Sequence, residues 1–294
     1  MSASRLRLFV AGMIASFAVH APFFTARVVT ANAPATLPAP GFHAGRIAAK
    51  AITESSGLIA SRAHPGVYWT HNDSGSPAEI FAIDATGKLL RTYAVAAKNI
   101  DWEDIAIDDA GTLYIADTGN NRRDRREVYV HAVAEPDPAK DAGAAALRVK
   151  TTWSLRYPGD KPFDAECLFV VGGKGYVVSK LLNLGQAGLY RFDIDPAKPR
   201  QVLEAVGVLP IRFPVTAGDV SADGKWLGIN SVAGPYLFRI DGDVMKAPKV
   251  EPKRVTFASP KMEACTFTTE GLLATTEDND LFLFRWKDFG VDPK

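Results

Sequence analysis

One four-beat phrase recurs five times along this chain, and it constrains the fold more tightly than any other feature of the sequence. Each occurrence opens with a polar, usually acidic, segment: Glu54-Ser55-Ser56-Gly57-Leu58, Asp101-Trp102-Glu103-Asp104-Ile105, Asp164-Ala165-Glu166-Cys167-Leu168, Thr216-Ala217-Gly218-Asp219-Val220 and Met262-Glu263-Ala264-Cys265-Thr266. A glycine-led apolar run with a polar end follows, at residues 66–73, 111–117, 175–180, 224–230 and 271–277. The third beat carries an aromatic residue each time: Phe81, Tyr129, Tyr190, Phe238 and Phe284 stand 48, 61, 48 and 46 residues apart. Self-similarity of this length marks a radial or stacked repeat, in which each unit buries its core against its neighbours.

The runs are β-branched and aromatic and are bounded by Gly, Asp, Asn and Pro, so they read as strands. No long segment has a helical period. A fourth beat occupies residues 88–95, 147–157, 201–211 and 250–258, and the fifth repeat lacks one because only seven residues follow Lys287. Residues 41–50 are placed to fill that gap. The expectation is an all-β propeller of five four-stranded blades, closed by pairing the two ends of the chain, which leaves no free blade edge. Six blades are the alternative. The longer second step holds an insertion at residues 135–146, rich in Ala, Asp and Pro.

Ahead of the repeats, Arg5 and Arg7 precede an apolar stretch of twelve residues, 8–19, and small residues follow at Val19-His20-Ala21 and Ala31-Asn32-Ala33. This reads as a signal peptide over residues 1–21, with the cut between 21 and 33. Pro22 and Pro34 directly follow the two candidate cuts. A retained anchor is the alternative, but twelve residues fall short of the roughly 20 that span a bilayer. Residues 22–41 read as a flexible leader and 42–294 as the single propeller domain, in a periplasmic or secreted monomer without stable membrane insertion. The two cysteines, Cys167 and Cys265, sit in openers that a ring does not make neighbours, which favours free buried thiols over a disulfide. The 34 basic and 33 acidic residues nearly cancel, which argues against nucleic acid as a partner.

In a propeller the opening strands line the central channel, so Ser56, Glu103, Glu166 and Glu263, with Thr216 or Asp219 from the fourth blade, should meet near one mouth. Several carboxylates at such range cannot all stay ionised without compensation. A hard cation with oxygen ligands resolves this, and calcium tolerates irregular geometry better than magnesium. The alternative is that the acids bond adjoining backbone or water. Paired His or Cys at zinc spacing is absent. The rim is expected from His71, Asn72, Asp73, Asp117, Asn120, Asn121, Lys180, Asn230 and Glu277, with Arg122, Arg123, Arg125 and Arg126 suited to an anionic ligand. A solvated loop is the plainer reading of that arginine run.

These openers, with Thr70-His71-Asn72-Asp73-Ser74-Gly75 and the run from Leu113 through Asn121, resemble exported bacterial propeller proteins of unassigned function, often labelled six-bladed. More remotely, the pattern resembles the calcium-activated nucleotidases (apyrases), five-bladed propellers that hydrolyse nucleoside di- and triphosphates. Their tunnel ligands follow the order Ser, Glu, Glu, Ser, Glu. The resemblance implies Ser56, Glu103, Glu166 and Glu263 as four of the five; the fourth-blade serine is not matched, Gly218 falling roughly there. The first expectation is therefore a calcium-dependent hydrolase of phosphate esters or anhydrides, in which Glu103, Asp73 or Asp117 orients or activates water and Lys180 with the arginines neutralises a small anionic substrate. A carboxylic ester or lactone is a variant substrate, because other calcium propellers share this plan. The competing expectation is a non-catalytic binding propeller with a structural metal.

Overall fold

A computed structural model describes residues 41–140, 145–180, 186–257 and 261–292. The signal expected over residues 1–21 and all but the last residue of the leader expected over 22–41 lie outside the described residues. Among those described, no helix is long and apolar enough to cross a membrane.

The first strand, β1 (Phe42–Arg46), is taken up last in the architecture. Blade 1 comprises β2 (Ser55–Ala60), β3 (Val67–Asn72), β4 (Glu79–Asp84) and β5 (Leu89–Ala94). Blade 2 comprises β6 (Asp104–Ile107), β7 (Thr112–Asp117), β8 (Glu127–Ala134) and β9 (Val149–Arg156). Blade 3 is built from β10 (Ala165–Val171), β11 (Lys174–Ser179), β12 (Ala187–Asp193) and, after β13 (Arg200–Val202), β14 (Glu204–Leu209). Blade 4 holds β15 (Val215–Val220), β16 (Trp226–Ser231), β17 (Tyr236–Arg239) and the two-residue β18 (Lys253–Arg254). Blade 5 holds β19 (Met262–Thr268), β20 (Gly271–Thr276) and β21 (Asp280–Arg285), and β1 pairs antiparallel with β21 as its fourth strand. The innermost strands touch in the cycle β2, β6, β10, β15, β19 and back to β2. This is a five-bladed β-propeller closed by its own two ends.

Side-chain alternation explains why the ring forms. In β4, Ile80 and Ala82 face blade 2 while Phe81 and Ile83 face blade 5, so both faces of one strand are buried. The apolar core is accordingly five separate clusters, one at each blade interface. Trp69 and Trp102 meet between blades 1 and 2, Trp153 and Phe192 between blades 2 and 3, and Phe238 and Tyr176 between blades 3 and 4. Cys167 and Cys265 are buried and unpaired, as expected.

Three departures from the sequence reading concern the outer strands. The fourth beat at 201–211 divides, because β13 runs parallel to β9 on the outer edge of blade 2 before β14 joins blade 3. The beat at 250–258 contributes only β18, and Val244–Lys249 ahead of it forms a 3-10 helix packed on β14 of blade 3 and β17 of blade 4. Glu135, expected in a surface loop, accepts hydrogen bonds from Ser61 Oγ at 2.5 Å and Trp69 Nε1 at 2.8 Å, tying blade 2 to blade 1.

Buried carboxylates tie the inner strands together. Asp104 accepts from the amides of Ile105, Leu168 in blade 3 (2.9 Å) and Gly218 in blade 4 (3.3 Å). Asp219 accepts from Val220 N at 2.7 Å and, in blade 5, from Thr266 Oγ1 and Phe267 N, both at 2.9 Å. The Thr266 hydroxyl in turn accepts from Ala60 N of blade 1. Asp219→Ala would strand three donors in the core, each costing about 1–3 kcal/mol. The lost carboxylate's own burial cost offsets part of this, so a net loss of about 2–4 kcal/mol is expected, read as a lowered urea midpoint at unchanged slope.

Candidate metal centre at the mouth of the channel

Four of the five innermost strands begin with a β-bulge or register irregularity, and it falls at the position expected to face the axis. Ser56 lies between the paired residues Ser55↔Asn72 and Gly57↔His71, Glu166 between Ala165↔Ser179 and Cys167↔Val178, and Thr216 between Val215↔Ser231 and Ala217↔Asn230. Glu263 falls within the irregularity between Met262↔Thr276 and Cys265↔Ala274. In blade 2 the register starts at Asp104↔Ala116, directly after Glu103, whose amide also bonds the Ala116 carbonyl. Bulges re-aim side chains and recur beside functional sites. They make Thr216 the fourth-blade counterpart of Ser56 and Glu166. Asp219 is withdrawn from the axial set, because hydrogen bonds from Val220 and blade 5 occupy both its oxygens.

Among the described residues, the carboxylates converge in two groups sharing Glu103. One is Asp73, Asp101 and Glu103; the other is Glu103, Asp164 and Glu166; in each, one potential ligand atom per residue lies within 4.8 Å of the others. Glu103 and Glu166 are only 5% and 4% exposed. Gly119 closes the space beside them: a Cβ there would stand 2.2 Å from Glu103 Oε1 and 2.4 Å from Asp101 Oδ2. Any side chain at that position would displace both acids.

Burial, then the charge of Glu166, holds the Glu103 carboxyl well above the usual carboxylate range. Burial pushes Glu166 up to about 7, although the Lys180 ammonium pulls against it. Burial, then Glu166 and Glu277, push Glu263 up to about 9. Asp101 is raised by burial and by Asp73. Lys180 Nζ donates to Glu166 Oε1, and although burial alone would lower its pKa, the Glu166 carboxylate raises it. Glu166 Oε2 and Thr216 Oγ1 are buried without a hydrogen-bond partner, as are both amide atoms of Asn230. Ser56 Oγ donates to the Glu103 carbonyl at 3.2 Å.

Several expected rim residues have other employment. The Asp117 carboxylate is buried, accepting from Asp101 N at 3.1 Å and pairing with Arg125 at 2.8 Å, so it is not placed to activate water. Arg125 also donates to the carbonyls of Gly119 and Asp117, which commits it to its own loop. Asn120 is spent on Arg125, Tyr157 and Asp164, and Asn72 on the backbone of residues 51–54. His71 is fully buried behind Gly57, its Nδ1 against the Asn72 carbonyl, with burial lowering its pKa. Asn121, Arg122, Arg123 and Arg126 are exposed on the loop after β7. Glu277 pairs with Lys261 and reaches Glu263. Asp73 remains half-buried at the mouth, bonded to Ser74 N.

Asp101 and Asp164 were absent from the expected ligand set. Each stands two residues before the axial glutamate, as Asp101-Trp102-Glu103 and Asp164-Ala165-Glu166. That repeated spacing was the available signal.

No protein-family model matches the chain, and no curated protein sequence does. Among solved structures it is similar to Myxococcus xanthus glutaminyl cyclase, at 12% identity and TM-score 0.47, over 83% of this chain and 92% of that one. It is similar to Kuenenia stuttgartiensis hydrazine synthase at 16% identity and TM-score 0.42, over 76% of this chain, spanning 56% of the synthase chain. A nidogen/laminin complex gives 12% identity and TM-score 0.45, over 76% of this chain and 73% of that chain. Likenesses of this order carry no argument about activity.

Proposed function

We propose that this chain is an exported propeller that binds a hard divalent cation, calcium by preference, at the mouth of its channel. The observation that carries the proposal is the buried, unpartnered Glu166 Oε2 within the Glu103, Asp164 and Glu166 group. A buried polar atom without a partner costs about 1–3 kcal/mol, and a cation removes that cost. The donors are all carboxylate or hydroxyl oxygens, the set that suits calcium. Thr216, Ser56 and Glu263 complete the axial ring, and Asp73 and Asp101 flank it.

The activity we propose is metal-dependent hydrolysis, with phosphate esters or anhydrides and carboxylic esters as its two candidate substrate classes. A bound cation supplies polarisation of the substrate oxygen and of a water. The protein's own contribution is Lys180, a part-exposed ammonium beside Glu166 that can donate to a substrate oxygen, and Asp73, a half-buried carboxylate able to accept a proton from water. The near-complete burial of Glu103 and Glu166 favours a second reading, in which the cation is a structural staple and the rim binds a partner.

Metal analysis of the purified protein and calorimetric titration with calcium test the site. We expect one calcium bound with a dissociation constant in the range about 10⁻⁶–10⁻³ M, weakened at least about tenfold by Glu166→Gln. Protein that neither carries calcium nor binds it at millimolar concentration would overturn the proposal. Turnover of nucleotides and aryl esters, with and without chelator, separates the two readings. Chelation that lowers Tm with no turnover of any substrate selects the staple.

A further inference from the structure

The channel mouth is acidic on blades 1, 2, 3 and 5 and apolar on blade 4. Blade 4 differs at equivalent backbone positions. The amide after the second strand bonds the carbonyl two residues before the axial bulge, in Lys180 to Asp164, Glu277 to Lys261 and Val232 to Pro214. Where blades 3 and 5 present Asp164 with Lys180 and Lys261 with Glu277, blade 4 presents Pro214 with Val232. Phe213 precedes Pro214 directly, and Val215 N donates to the Lys180 carbonyl, so this apolar wall adjoins Lys180. Phe213 is 41% and Val232 36% exposed. Apolar side chains that solvent reaches, standing together beside a polar well, mark a binding surface.

Blade 4 also carries the buried, unpartnered Thr216 Oγ1 at the axial position. A hydroxyl can donate to a neutral carbonyl. The well opposes an anion: Glu54, Asp73, Asp101, Asp164 and Glu277 surround Glu103, Glu166 and Glu263 and act electrostatically on one another. The arginines that would answer a phosphate are not drawn into the well: Arg125 pairs with Asp117, and Arg122, Arg123 and Arg126 are exposed on their loop.

We infer that the ligand of this mouth is a neutral carboxylic ester with an apolar chain, its carbonyl over the axial ring and its chain on Phe213, Pro214 and Val232. This rests on the proposed cation-dependent hydrolysis and chooses its substrate class. The reaction balances without a further reactant: water oxygen bonds to the acyl carbon, the acyl C–O bond breaks, and the alcohol leaves with a proton from that water. The other product is the carboxylic acid, ionising to carboxylate, and nothing is oxidised or reduced.

The test uses the full chain with calcium, on p-nitrophenyl acetate, octanoate and phosphate, and calorimetric binding of octanamide and of inorganic phosphate. Methylene burial predicts a kcat/KM for octanoate on the order of ten- to a hundredfold above acetate, and binding of octanamide but not phosphate. In the Phe213→Ser/Val232→Ser double variant the octanoate-to-acetate ratio should fall to about threefold or less and octanamide binding should be lost, with calcium affinity reporting that the site persists. Phosphate turned over in preference to the esters would overturn the inference, and so would a chain-length ratio unchanged in the variant. Calcium binding without any ester turnover sinks the substrate class and leaves the cation site standing, whereas absent calcium binding sinks the reading beneath it. A dimer that the double variant dissolves would assign the wall to self-association and also overturn the inference.

Discussion

Glu103→Gln should make the calcium-free protein more stable and nearly abolish its response to calcium. Glu103 is the one residue common to both carboxylate groups. Its side chain is almost wholly buried, with Glu166, Asp73, Asp101 and Asp164 all acting against its ionised form. Glutamine keeps the shape and removes the ionisable group, so the cost of burying a carboxyl among like charges disappears. The gain is read as a higher Tm in chelator at pH 8, each kcal/mol recovered being worth about 2–4 °C in a domain of this size. Calcium affinity should fall at least about a hundredfold, because a charged ligand is lost from a site whose attraction is electrostatic. A variant with lower Tm in chelator would mean that Glu103 is held by hydrogen bonds that the native fold needs. A variant with unchanged calcium affinity would remove Glu103 from the metal centre.

The ring was legible because its signal is redundant. The sequence repeats the strand pattern five times, and the ends complement each other, so β1 could be assigned to blade 5 before any register was known. The aromatic alignment slipped in detail. Counted from the axial bulge, Thr70↔Phe81 corresponds to Ile115↔His131, Val177↔Tyr190, Ile229↔Tyr236 and Ala274↔Phe282. Tyr129, Phe238 and Phe284 are therefore two residues out of step, an error that preserves the face and so cost nothing at the level of fold.

The site was less legible, because commitment of a polar group depends on contacts across the fold. Asp104 and Asp117 are both acids at strand ends, yet one bonds amides in blades 3 and 4 while the other pairs with Arg125 across a loop. Nothing in local pattern separates them from Glu103. The same holds for Asn72 and Asn230, one fully hydrogen-bonded and the other buried with no partner at all. A β-bulge is likewise invisible in sequence, and it is the bulge that selects Thr216 over Asp219.

Raising the pH from 5 to 9 should destabilise the calcium-free protein and leave the calcium-loaded protein nearly unaffected through this site. Glu166 titrates near 7 and Glu263 near 9 in the native state, against 4.5 for an ordinary glutamate. Between 4.5 and those values the native state holds protons that the unfolded chain has released. Stability then falls as pH rises, by up to about 1.4 kcal/mol per pH unit for each titrating group. The window closes near pH 7 for Glu166 and near 9 for Glu263. A bound cation stabilises the ionised forms, so the native pKa values drop back and the slope from these groups vanishes. The gap in Tm between loaded and chelated protein should therefore widen steadily from pH 5 to 9. The same linkage requires calcium to displace protons. Calorimetry at pH 6.5 in two buffers of different ionisation enthalpy should detect release of one or more protons per calcium, falling towards none above pH 9. A Tm in chelator that rises over this range, or binding without proton release at pH 6.5, would show that these glutamates are not the groups calcium meets.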